Sequence, residues 1–366
     1  MTKILFFIDT LKRGGAAKAL MNLVNAMNKT QYDITVQTIF KEDIADKLND
    51  DVSYKYCFER QNKLTELMAR VETAVKVIYP LHIKDNYDYE CAYLESISTK
   101  IIATSTNSSA KHFAWIHCDI EKMASNPKKY ALKTGAWYKK YDSIICVSET
   151  VRDSFCRVFG HEYDTKVVYN VIDSDDIIKK SASQIPNNIK HKRITVLTAG
   201  TLYSPKNHLR LLKSCKKLLE EGIVFDTWIL GDGPDRPMLE RYISENNLQN
   251  NIFLLGYYDN PYPIMKAADI LACSSNYEGF STFVTEGLIL GKAIVTTDVS
   301  GMQELLRNNE YGLITQNDDT DFCEGLRSII LNKSLVSKYE MRAQQRCADF
   351  SLEHTTKMSE ELFDNK

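Results

Sequence analysis

The chain has 366 residues, which at roughly 100–200 residues per domain predicts two domains rather than one. Lysine and arginine together number 46 and aspartate and glutamate 48, so the formal net charge is −2. This balance excludes a polybasic nucleic-acid-binding protein, which needs a large positive excess to displace counterions. Hydrophobic residues make up 44% and charged residues 26%, as in a folded globular protein and unlike a disordered chain.

The cysteines and the N-terminus indicate a compartment. The nine cysteines are scattered and form no C-x-x-C pair, so the sequence has neither a zinc-ribbon nor a thioredoxin-like motif. The apolar run Ile4–Ile8 is shorter than the core of a signal peptide, and no apolar stretch approaches the roughly 18 residues of a membrane-spanning helix. We therefore expect a cytoplasmic protein, for which any contact with the inner face of the cell membrane would be peripheral.

Apolar runs and amphipathic stretches alternate along the whole chain. Runs rich in Val, Ile and Phe, without strict alternation, predict strands buried on both faces at Ile4–Ile8, Ile34–Phe40, Val52–Phe58, Cys91–Leu94, His112–Ile116, Ser143–Val147, Val167–Tyr169, Ile194–Thr198, Phe225–Leu230, Ile252–Leu255, Ile270–Ser274 and Ala293–Thr297. Helical patterns lie at Ala16–Met27, Tyr130–Lys139, Val151–Val158, Asn207–Glu221, Arg236–Asn246, Phe283–Leu290 and Ser351–Leu362. This alternation predicts an α/β fold of doubly wound parallel sheets.

A polar stretch at residues 179–192, KKSASQIPNNIKHK, has little to bury and predicts a linker. A fresh apolar strand follows it directly. We therefore expect an N-terminal domain over residues 1–178 and a C-terminal domain over residues 193–350. The last helix, in about residues 351–366, is expected to pack back on the first domain.

In doubly wound folds, ligands collect at the carboxyl ends of strands and phosphates at helix N-termini. Four segments follow predicted strands and carry polar or glycine residues: DTLKRGGAAK with Gly14 and Gly15, GTLYSPKN with Lys206, LGDGP with Asp232, and SSNYEGFSTFVTEG with Glu278 and Glu286. Each string alone is also typical of an ordinary turn or a solvated side chain. The first is not the G-x-G-x-x-G fingerprint, which argues against a nicotinamide oxidoreductase.

Taken in order, the motifs are more specific than any one of them. The chain contains G-x-L-x-x-x-K-N, LGDGP-x-R-x-x-LE, LLGY, an ADI strand, E-x7-E and GKAIVTTDVSG-x-x-E. This series resembles the retaining glycosyltransferases of family 4, also called glycosyl transferases group 1, of bacterial polysaccharide synthesis. The resemblance covers nearly the whole chain. It implies the GT-B architecture, with two facing Rossmann-like domains and a central cleft.

The resemblance also implies a role for each matching residue. Glu286 would hold the ribose hydroxyls of a nucleotide-sugar, Lys206 would stabilise the departing diphosphate, and Glu278 would contact the donor sugar. Gly256 and Tyr257 would border the base, and Gly14 and Gly15 would face the donor phosphates. The full donor-binding set implied is Gly14, Gly15, Thr201, Lys206, Asp232, Gly256, Tyr257, Glu278, Gly279, Phe280, Ser281, Thr282 and Glu286. The catalytic set implied is His117, Lys206 and Glu278.

His117 follows a predicted strand in WIHCD. A histidine at a strand end is more often structural than catalytic. Its position about thirty residues before the ICVSE strand fits the active-site histidine of the family, which would lie on the acceptor side of the reacting centre.

One position departs from the family pattern. The family has an arginine where this chain has Thr201, and a threonine brings no charge, so the diphosphate loses a bidentate partner. Either Arg13, Lys12 or His208 supplies the missing cation, or donor binding is weaker.

We expect no cofactor and no metal, because Lys206 and helix N-termini can stabilise the leaving diphosphate. The D-x-D strings Asp173–Asp175 and Asp319–Asp321 are interpreted as solvated turns. Residues 122–141 hold six lysines and no acid, interleaved with Tyr130, Trp137, Tyr138 and Tyr141. That composition suits an anionic membrane surface or a solvated helix face about equally, and the resemblance favours the membrane.

The function implied is that of a retaining, metal-independent glycosyltransferase. It would move a hexose or N-acetylhexosamine from a nucleotide-sugar, expected to be UDP-linked, to a lipid-linked or saccharide acceptor in surface glycan synthesis. One alternative is an enzyme like UDP-N-acetylglucosamine epimerase, which needs no acceptor. Another, suggested by Thr201, is a non-catalytic nucleotide-sugar-binding or scaffold protein. No nucleic-acid partner is expected.

Overall fold

A computed structural model describes residues 1–12, 14–44, 47–187, 189 and 193–364. The strands are β1 (Thr2–Phe7), β2 (Tyr32–Phe40), β3 (Val52–Phe58), β4 (Tyr89–Ala92), β5 (Lys111–Ile116), β6 (Ser143–Cys146), β7 (Thr165–Val167), β8 (Thr195–Ala199), β9 (Asp226–Leu230), β10 (Ile252–Gly256), β11 (Ile270–Cys273), β12 (Ala293–Thr297) and β13 (Leu313–Thr315).

The helices are α1 (Gly15–Ala26), α2 (Lys63–Ala74), α3 (Ile78–His82), α4 (Ile97–Ile102), α5 (Ile120–Met123), α6 (Pro127–Tyr138), α7 (Glu149–Phe159), α8 (Ser174–Ser181), α9 (His208–Glu220), α10 (Arg236–Glu245), α11 (Tyr262–Ala267), α12 (Thr282–Ile289), α13 (Met302–Leu306), α14 (Asp319–Leu331), α15 (Lys333–Arg346) and α16 (Leu352–Glu360). Two 3-10 turns, Ser204–Lys206 and Cys347–Phe350, precede α9 and α16.

The chain divides into two compact units, Met1–Ile172 with Leu352–Lys366, and Asp173–Ser351. The first contains a seven-stranded sheet in the order β3-β2-β1-β4-β5-β6-β7, and the second a six-stranded sheet in the order β10-β9-β8-β11-β12-β13. Every strand pair is parallel. The strand order reverses between β1 and β4 in one unit and between β8 and β11 in the other, which are the places where such folds bind ligands.

The predicted fold class is confirmed: both units are Rossmann-like. Each predicted strand overlaps an observed one, because four to seven buried Val, Ile and Phe residues leave little alternative in a parallel sheet. Sequence analysis missed β13, which has only three residues and follows no long apolar run. It also missed several helices, among them α2, α14 and α15.

The boundary between the units differs from the predicted one. The second unit begins at Asp173, because α8 packs against α11 of that unit. Residues 179–181, predicted as linker, form the end of α8, and positions 188 and 190–192 of that stretch lie outside the described residues. The C-terminal segment belongs to the first unit, where Phe363 is 1% exposed and its ring lies 6.0 Å from that of Phe6.

The two D-x-D strings are not turns, which corrects the interpretation above. Asp173 caps the N-terminus of α8 by accepting the Asp176 N–H, and Asp175 lies in the first turn of that helix. Asp319 and Asp321 lie in the first turn of α14. Carboxylates there are stabilised by the helix dipole and by unpaired N–H groups, which gives both strings a structural role.

Candidate functional site

The strand-order reversal of the second unit brings together two of the predicted residues. Lys206 ends the 3-10 turn after β8, and Glu278 lies in the loop after β11, the neighbouring strand. The Lys206 Nζ donates to Glu278 Oε1 at 2.6 Å and to Oε2 at 2.8 Å. Parallel strands end at the same edge of a sheet, so residues 72 positions apart form one charged pair.

Neighbouring side chains hold this pair in place. The Ser275 hydroxyl donates to Glu278 Oε1 at 2.6 Å, which fixes the carboxylate from the side of the strand. Together with His208 and Phe283, the pair lines a cavity of about 10 Å³, the space of roughly one water molecule. Both charges are thus fixed at the mouth of a small polar recess.

The surroundings shift the pKa values of Lys206 and His208 in opposite directions. Burial disfavours the charged ammonium, but the Glu278 carboxylate outweighs it and raises the pKa of Lys206 above its ordinary value. Burial, aided by the charge of Lys206, lowers the pKa of neighbouring His208 to about 4. His208 is therefore neutral near pH 7, which argues against it as the cation that replaces the missing arginine at Thr201.

A second layer, which the sequence analysis missed, supports the loop. Arg210 is 6% exposed, and its Nη1 donates to the Ser274 carbonyl at 3.3 Å and to Asn317 Oδ1 at 2.7 Å. The Asn207 Nδ2 donates to Asn276 Oδ1 at 2.9 Å, which joins the two loops directly. The asparagine after Lys206 was a usable signal, since it stands in the K-N motif at a strand end.

Helix α12 follows Glu278 and starts at the same edge. Ser281 caps it by accepting the Val284 N–H at 3.5 Å, so the first-turn N–H groups and the positive helix end face the Glu278 loop. Gly279, Phe280 and Ser281 are buried. The loop is held against Gly301, which has φ +81° and where a Cβ atom would lie 2.7 Å from the Gly279 carbonyl oxygen.

Glu286 lies one turn further along α12. It is 9% exposed and accepts a hydrogen bond from the Tyr262 hydroxyl at 3.2 Å. Sequence analysis missed Tyr262, which lies on α11 and precedes the ADI strand. A carboxylate held in one orientation by a phenol can accept hydrogen bonds from a pair of ligand hydroxyls with its other lone pairs.

The ends of β8, β9 and β10 meet at a neighbouring point. The Gly231 N–H donates to the Gly256 carbonyl at 2.7 Å, and a Cβ atom at Gly231 would lie 1.9 Å from the Gly200 carbonyl oxygen. The glycines of LGDGP are therefore needed for the close approach of this turn to the GTL turn. Thr201, Asp232 and Tyr257 are exposed, and the Asp232 carboxylate accepts the Gly233 N–H at 2.8 Å.

The first unit gathers different residues at its own strand-order reversal. Asp9 follows β1, and Glu95 follows β4. The Ser98 hydroxyl donates to Asp9, and the Glu95 carboxylate accepts the backbone N–H of His117 at 3.0 Å. Burial raises the pKa of Asp9 to about 6, against which the Ser98 hydrogen bond acts, while the charge of Glu95 raises it further. Sequence analysis named only His117 of this group.

His117 is placed at the end of β5 as predicted. The centre of its ring lies 4.9 Å from that of the Tyr93 ring, with the two ring planes tilted by 50°, and burial lowers the pKa of His117 to about 4. The imidazole is therefore neutral at pH 7. Gly14 caps α1 and Gly15 begins it, in the same unit. Lys12 is exposed there, and Arg13 lies outside the described residues.

The basic segment 122–141 is less membrane-like than its sequence indicates. All six lysines are exposed, but Tyr138 and Tyr141 are buried, and the Tyr141 hydroxyl donates to the Thr99 carbonyl at 2.6 Å. These two aromatic rings therefore belong to the core.

None of the described helices is both long enough and apolar enough to cross a bilayer. In the described ranges, no cluster of three or more His, Cys, Asp or Glu side chains has metal-binding geometry.

Residues 179–346, which carry Lys206, Glu278 and Glu286, match the family described as Glycosyl transferases group 1. Over most of the second unit, the chain is therefore similar to this family. Over 187 residues it is 33% identical to the N-acetylgalactosamine-N,N'-diacetylbacillosaminyl-diphospho-undecaprenol 4-alpha-N-acetylgalactosaminyltransferase of Campylobacter jejuni. That match covers 50% of this chain and 49% of the relative, so it spans about half of the relative's length.

Two further comparisons extend over nearly the whole chain. The GalNAc-alpha-(1->4)-GalNAc-alpha-(1->3)-diNAcBac-PP-undecaprenol alpha-1,4-N-acetyl-D-galactosaminyltransferase of the same organism is 25% identical over 368 residues, covering 97% of this chain and 96% of the relative. The structure of Anabaena HepE in complex with UDP and glucose superposes with a TM-score of 0.79 at 17% identity, covering 100% of both chains. The fold is the GT-B architecture, as predicted.

Proposed function

We propose that this protein is a retaining glycosyltransferase that moves a hexose or N-acetylhexosamine from a UDP-sugar to a lipid-linked acceptor in surface glycan synthesis. The observation that carries the proposal is the Lys206–Glu278 pair beside the N-terminus of α12, at the strand-order reversal of the second unit. A cation and a helix N-terminus together favour a dianionic diphosphate.

The reaction breaks the bond between the anomeric carbon and the diphosphate oxygen. Positive charge then develops on the sugar ring and negative charge on the nucleoside diphosphate. Lys206, whose raised pKa keeps it protonated at pH 7, would stabilise the leaving diphosphate together with the first-turn N–H groups of α12. No metal ion is required for this role, and adding a chelator is expected to leave the rate unchanged.

Carboxylates would orient the donor. Glu286, held by Tyr262, would accept hydrogen bonds from the ribose hydroxyls. Glu278, with the Gly279–Thr282 amides, would contact the sugar and its phosphates. Gly256 and Tyr257 at the end of β10 would border the base, and Thr201 and Asp232 would offer further hydrogen bonds from adjacent turns.

The first unit would receive the acceptor. His117 is a neutral imidazole at pH 7, so it can hydrogen-bond a sugar hydroxyl without bringing a charge to the cationic transition state. Gly14 and Gly15 begin α1 at the same edge of the sheet, where they would allow a ligand phosphate to approach the backbone.

The relatives support the substrate classes. Both Campylobacter jejuni relatives are named as N-acetylgalactosaminyltransferases acting on saccharides linked to undecaprenol through a diphosphate, which favours an N-acetylhexosamine donor and a lipid-linked acceptor. The HepE complex with UDP and glucose favours a UDP donor. The exposed lysines of segment 122–141 would serve a peripheral contact with the membrane that carries such an acceptor.

A transfer assay tests the proposal. The purified protein is incubated with UDP-N-acetylgalactosamine, UDP-N-acetylglucosamine, UDP-glucose or UDP-galactose and with undecaprenyl-diphosphate-linked saccharides. We expect one acceptor-dependent product whose anomeric configuration, read by NMR coupling constants, equals that of the donor. Conversion of a UDP-sugar without acceptor would show an epimerase-like enzyme instead. UDP binding without turnover on any acceptor would show a binding or scaffold protein.

A further inference from the structure

Helix α2 packs against the first unit with small residues and exposes its large apolar ones. Ala69 and Thr73 are buried, and the Thr73 hydroxyl donates to the Ala69 carbonyl at 2.6 Å. The outward side chains recur at helical spacing and form what we call the α2 stripe: Leu64 (65% exposed), Leu67 (58%), Met68 (42%), Val71 (50%) and Val75 (60%). In an ordinary amphipathic helix, such residues face the core.

The orientation of α2 is fixed by specific contacts. Asn62 and Thr65 form a capping box, with the Asn62 Oδ1 accepting the Thr65 N–H at 3.1 Å and the Thr65 hydroxyl accepting the Asn62 N–H at 3.0 Å. On the inner side, the Glu72 carboxylate pairs with the His82 ring at 2.8 Å. The helix is therefore anchored with its polar side inward, and the α2 stripe is a defined surface.

The exposed charges of α2 and the residues directly after it have one sign. Lys63, Arg70 and Lys76 are exposed on or directly after the helix. Its two acidic residues are half-buried and turned to partners: Glu66 accepts the Gln61 amide at 3.1 Å, and Glu72 pairs with His82. The outward face of α2 thus combines apolar side chains with positive charge.

We propose that the α2 stripe docks the protein on an anionic lipid surface. Apolar side chains flanked by lysine and arginine are the composition of helices that lie in the membrane interface, where the apolar face enters the boundary between headgroups and acyl chains and the cations meet lipid phosphates. A second copy of the same face is a poorer occupant, since it would bring Lys63 and Arg70 against like charges with no exposed acid on the helix to pair with them.

This docking surface is independent of the transfer reaction. It lies on α2, whereas the basic segment 122–141 lies on α5 and α6, and it requires no bound nucleotide or acceptor. Binding to lipid vesicles can therefore succeed or fail whether or not the protein transfers a sugar.

Vesicle co-sedimentation tests the proposal on the full-length protein. The vesicles contain phosphatidylethanolamine and phosphatidylglycerol, with pure phosphatidylcholine vesicles for comparison. We expect wild type to bind the anionic vesicles more tightly than the neutral ones. The double variant Leu67→Gln/Val71→Gln should bind anionic vesicles at least about tenfold more weakly, because each substitution removes most of the transfer free energy of one side chain.

Two controls keep the result specific. Val224→Gln/Leu331→Gln makes the same chemical changes at exposed positions of the second unit (60% and 63% exposed) and should bind like wild type. Lys128→Gln/Lys129→Gln on α6 should weaken binding less than the α2 variant does. Thermal unfolding monitored by circular dichroism confirms that each variant is folded, which is expected because all these side chains are exposed.

Three results would overturn the proposal. The first is wild type that does not bind anionic vesicles, and the second is equal binding by wild type and the α2 variant. The third is a wild-type dimer that ignores vesicles and that Leu67→Gln/Val71→Gln converts to a monomer, which would make the α2 stripe a surface for self-association.

Discussion

The two units use the same topological position for opposite electrostatics. Where the strand order reverses in the second unit, Lys206 and Glu278 form a charged pair at 2.6 Å. Where it reverses in the first unit, burial pushes the side chains toward their neutral forms: the pKa of Asp9 rises to about 6 and that of His117 falls to about 4.

This difference suggests a division of labour between the units. A fixed cation beside a helix N-terminus suits a diphosphate, which carries its charge into the site. A neutral imidazole such as that of His117 suits a sugar hydroxyl, which carries no charge. On the proposed function, the same Rossmann-like scaffold would provide an anion site or a hydroxyl site, depending on which side chains follow its central strands.

The largest effect is expected from removing the cation of the second unit. Lys206→Ala should lower kcat/KM for transfer by about 100-fold to 1,000-fold, because the departing diphosphate loses its principal positive partner. The measurement is initial transfer rates over a range of donor concentrations. Lys213, an exposed lysine on the following helix α9, provides the matched control, and Lys213→Ala should leave the rate unchanged. Equal rates for the two variants would contradict the role of Lys206.

A smaller loss is expected at the ribose position. Glu286→Gln keeps the shape of the side chain and removes the charge, so the donor KM should rise by about tenfold to 100-fold, the range for a hydrogen bond to a charged group. Acceptor KM should not change. Glu245→Gln, at the exposed end of α10, serves as the control. A change in the acceptor KM alone would contradict this prediction, because it would show that Glu286 contacts the acceptor and not the donor.

The raised pKa of Asp9 in the first unit predicts that the stability of the fold depends on pH. Because the pKa of Asp9 is raised from 3.8 to about 6 in the folded chain, its contribution to stability is present below pH 4 and is lost as the pH rises through 6. Asp9→Asn should therefore raise the free energy of unfolding at pH 8 by about 2 kcal/mol and change it little at pH 4.

Urea unfolding of the full chain at both pH values measures this effect. The exposed carboxylate Asp43 provides the control, since Asp43→Asn should give the same small difference at pH 4 and at pH 8. A gain for Asp9→Asn that is independent of pH would show that its burial does not act through ionisation.

The smallest effect is a gain. Thr201 is exposed beside the second-unit site, so an arginine fits there without displacing the core. Thr201→Arg should tighten UDP binding by about threefold to tenfold by adding a bidentate partner for the diphosphate. Thr201→Gln, which lengthens the side chain without charge, should not. Weaker UDP binding by the arginine variant would contradict this expectation and would show that another group of the protein already contacts the diphosphate.

Sequence patterns predicted the strands and the residues that follow them, because a buried parallel strand and its carboxyl end are local features. They predicted Lys206, Glu278, Glu286 and His117 as side chains near strand ends. They could not predict which of them pair, since the Lys206–Glu278 contact depends on β8 and β11 being neighbours in the sheet. Asp9, turned inward to Ser98, was missed for the same reason.

The α2 stripe shows a second limit of prediction from sequence, which concerns the face of a helix that is buried. Its apolar spacing is that of a helix facing the core, and only the observed exposure of Leu64 and Leu67 shows that it faces outward. Periodicity identifies a helix and its two faces. Which face is buried depends on the packing of Ala69 and Thr73, which a one-dimensional pattern does not contain.

Calorimetric titration of UDP tests the central claim most directly, that the second unit binds a nucleoside diphosphate at the strand-order reversal. It needs neither acceptor nor membrane. We predict that wild type binds UDP and that Lys206→Ala and Glu286→Gln each weaken binding by at least about tenfold, while Lys213→Ala does not. Absence of UDP binding by wild type, or equal binding by all four proteins, would contradict it.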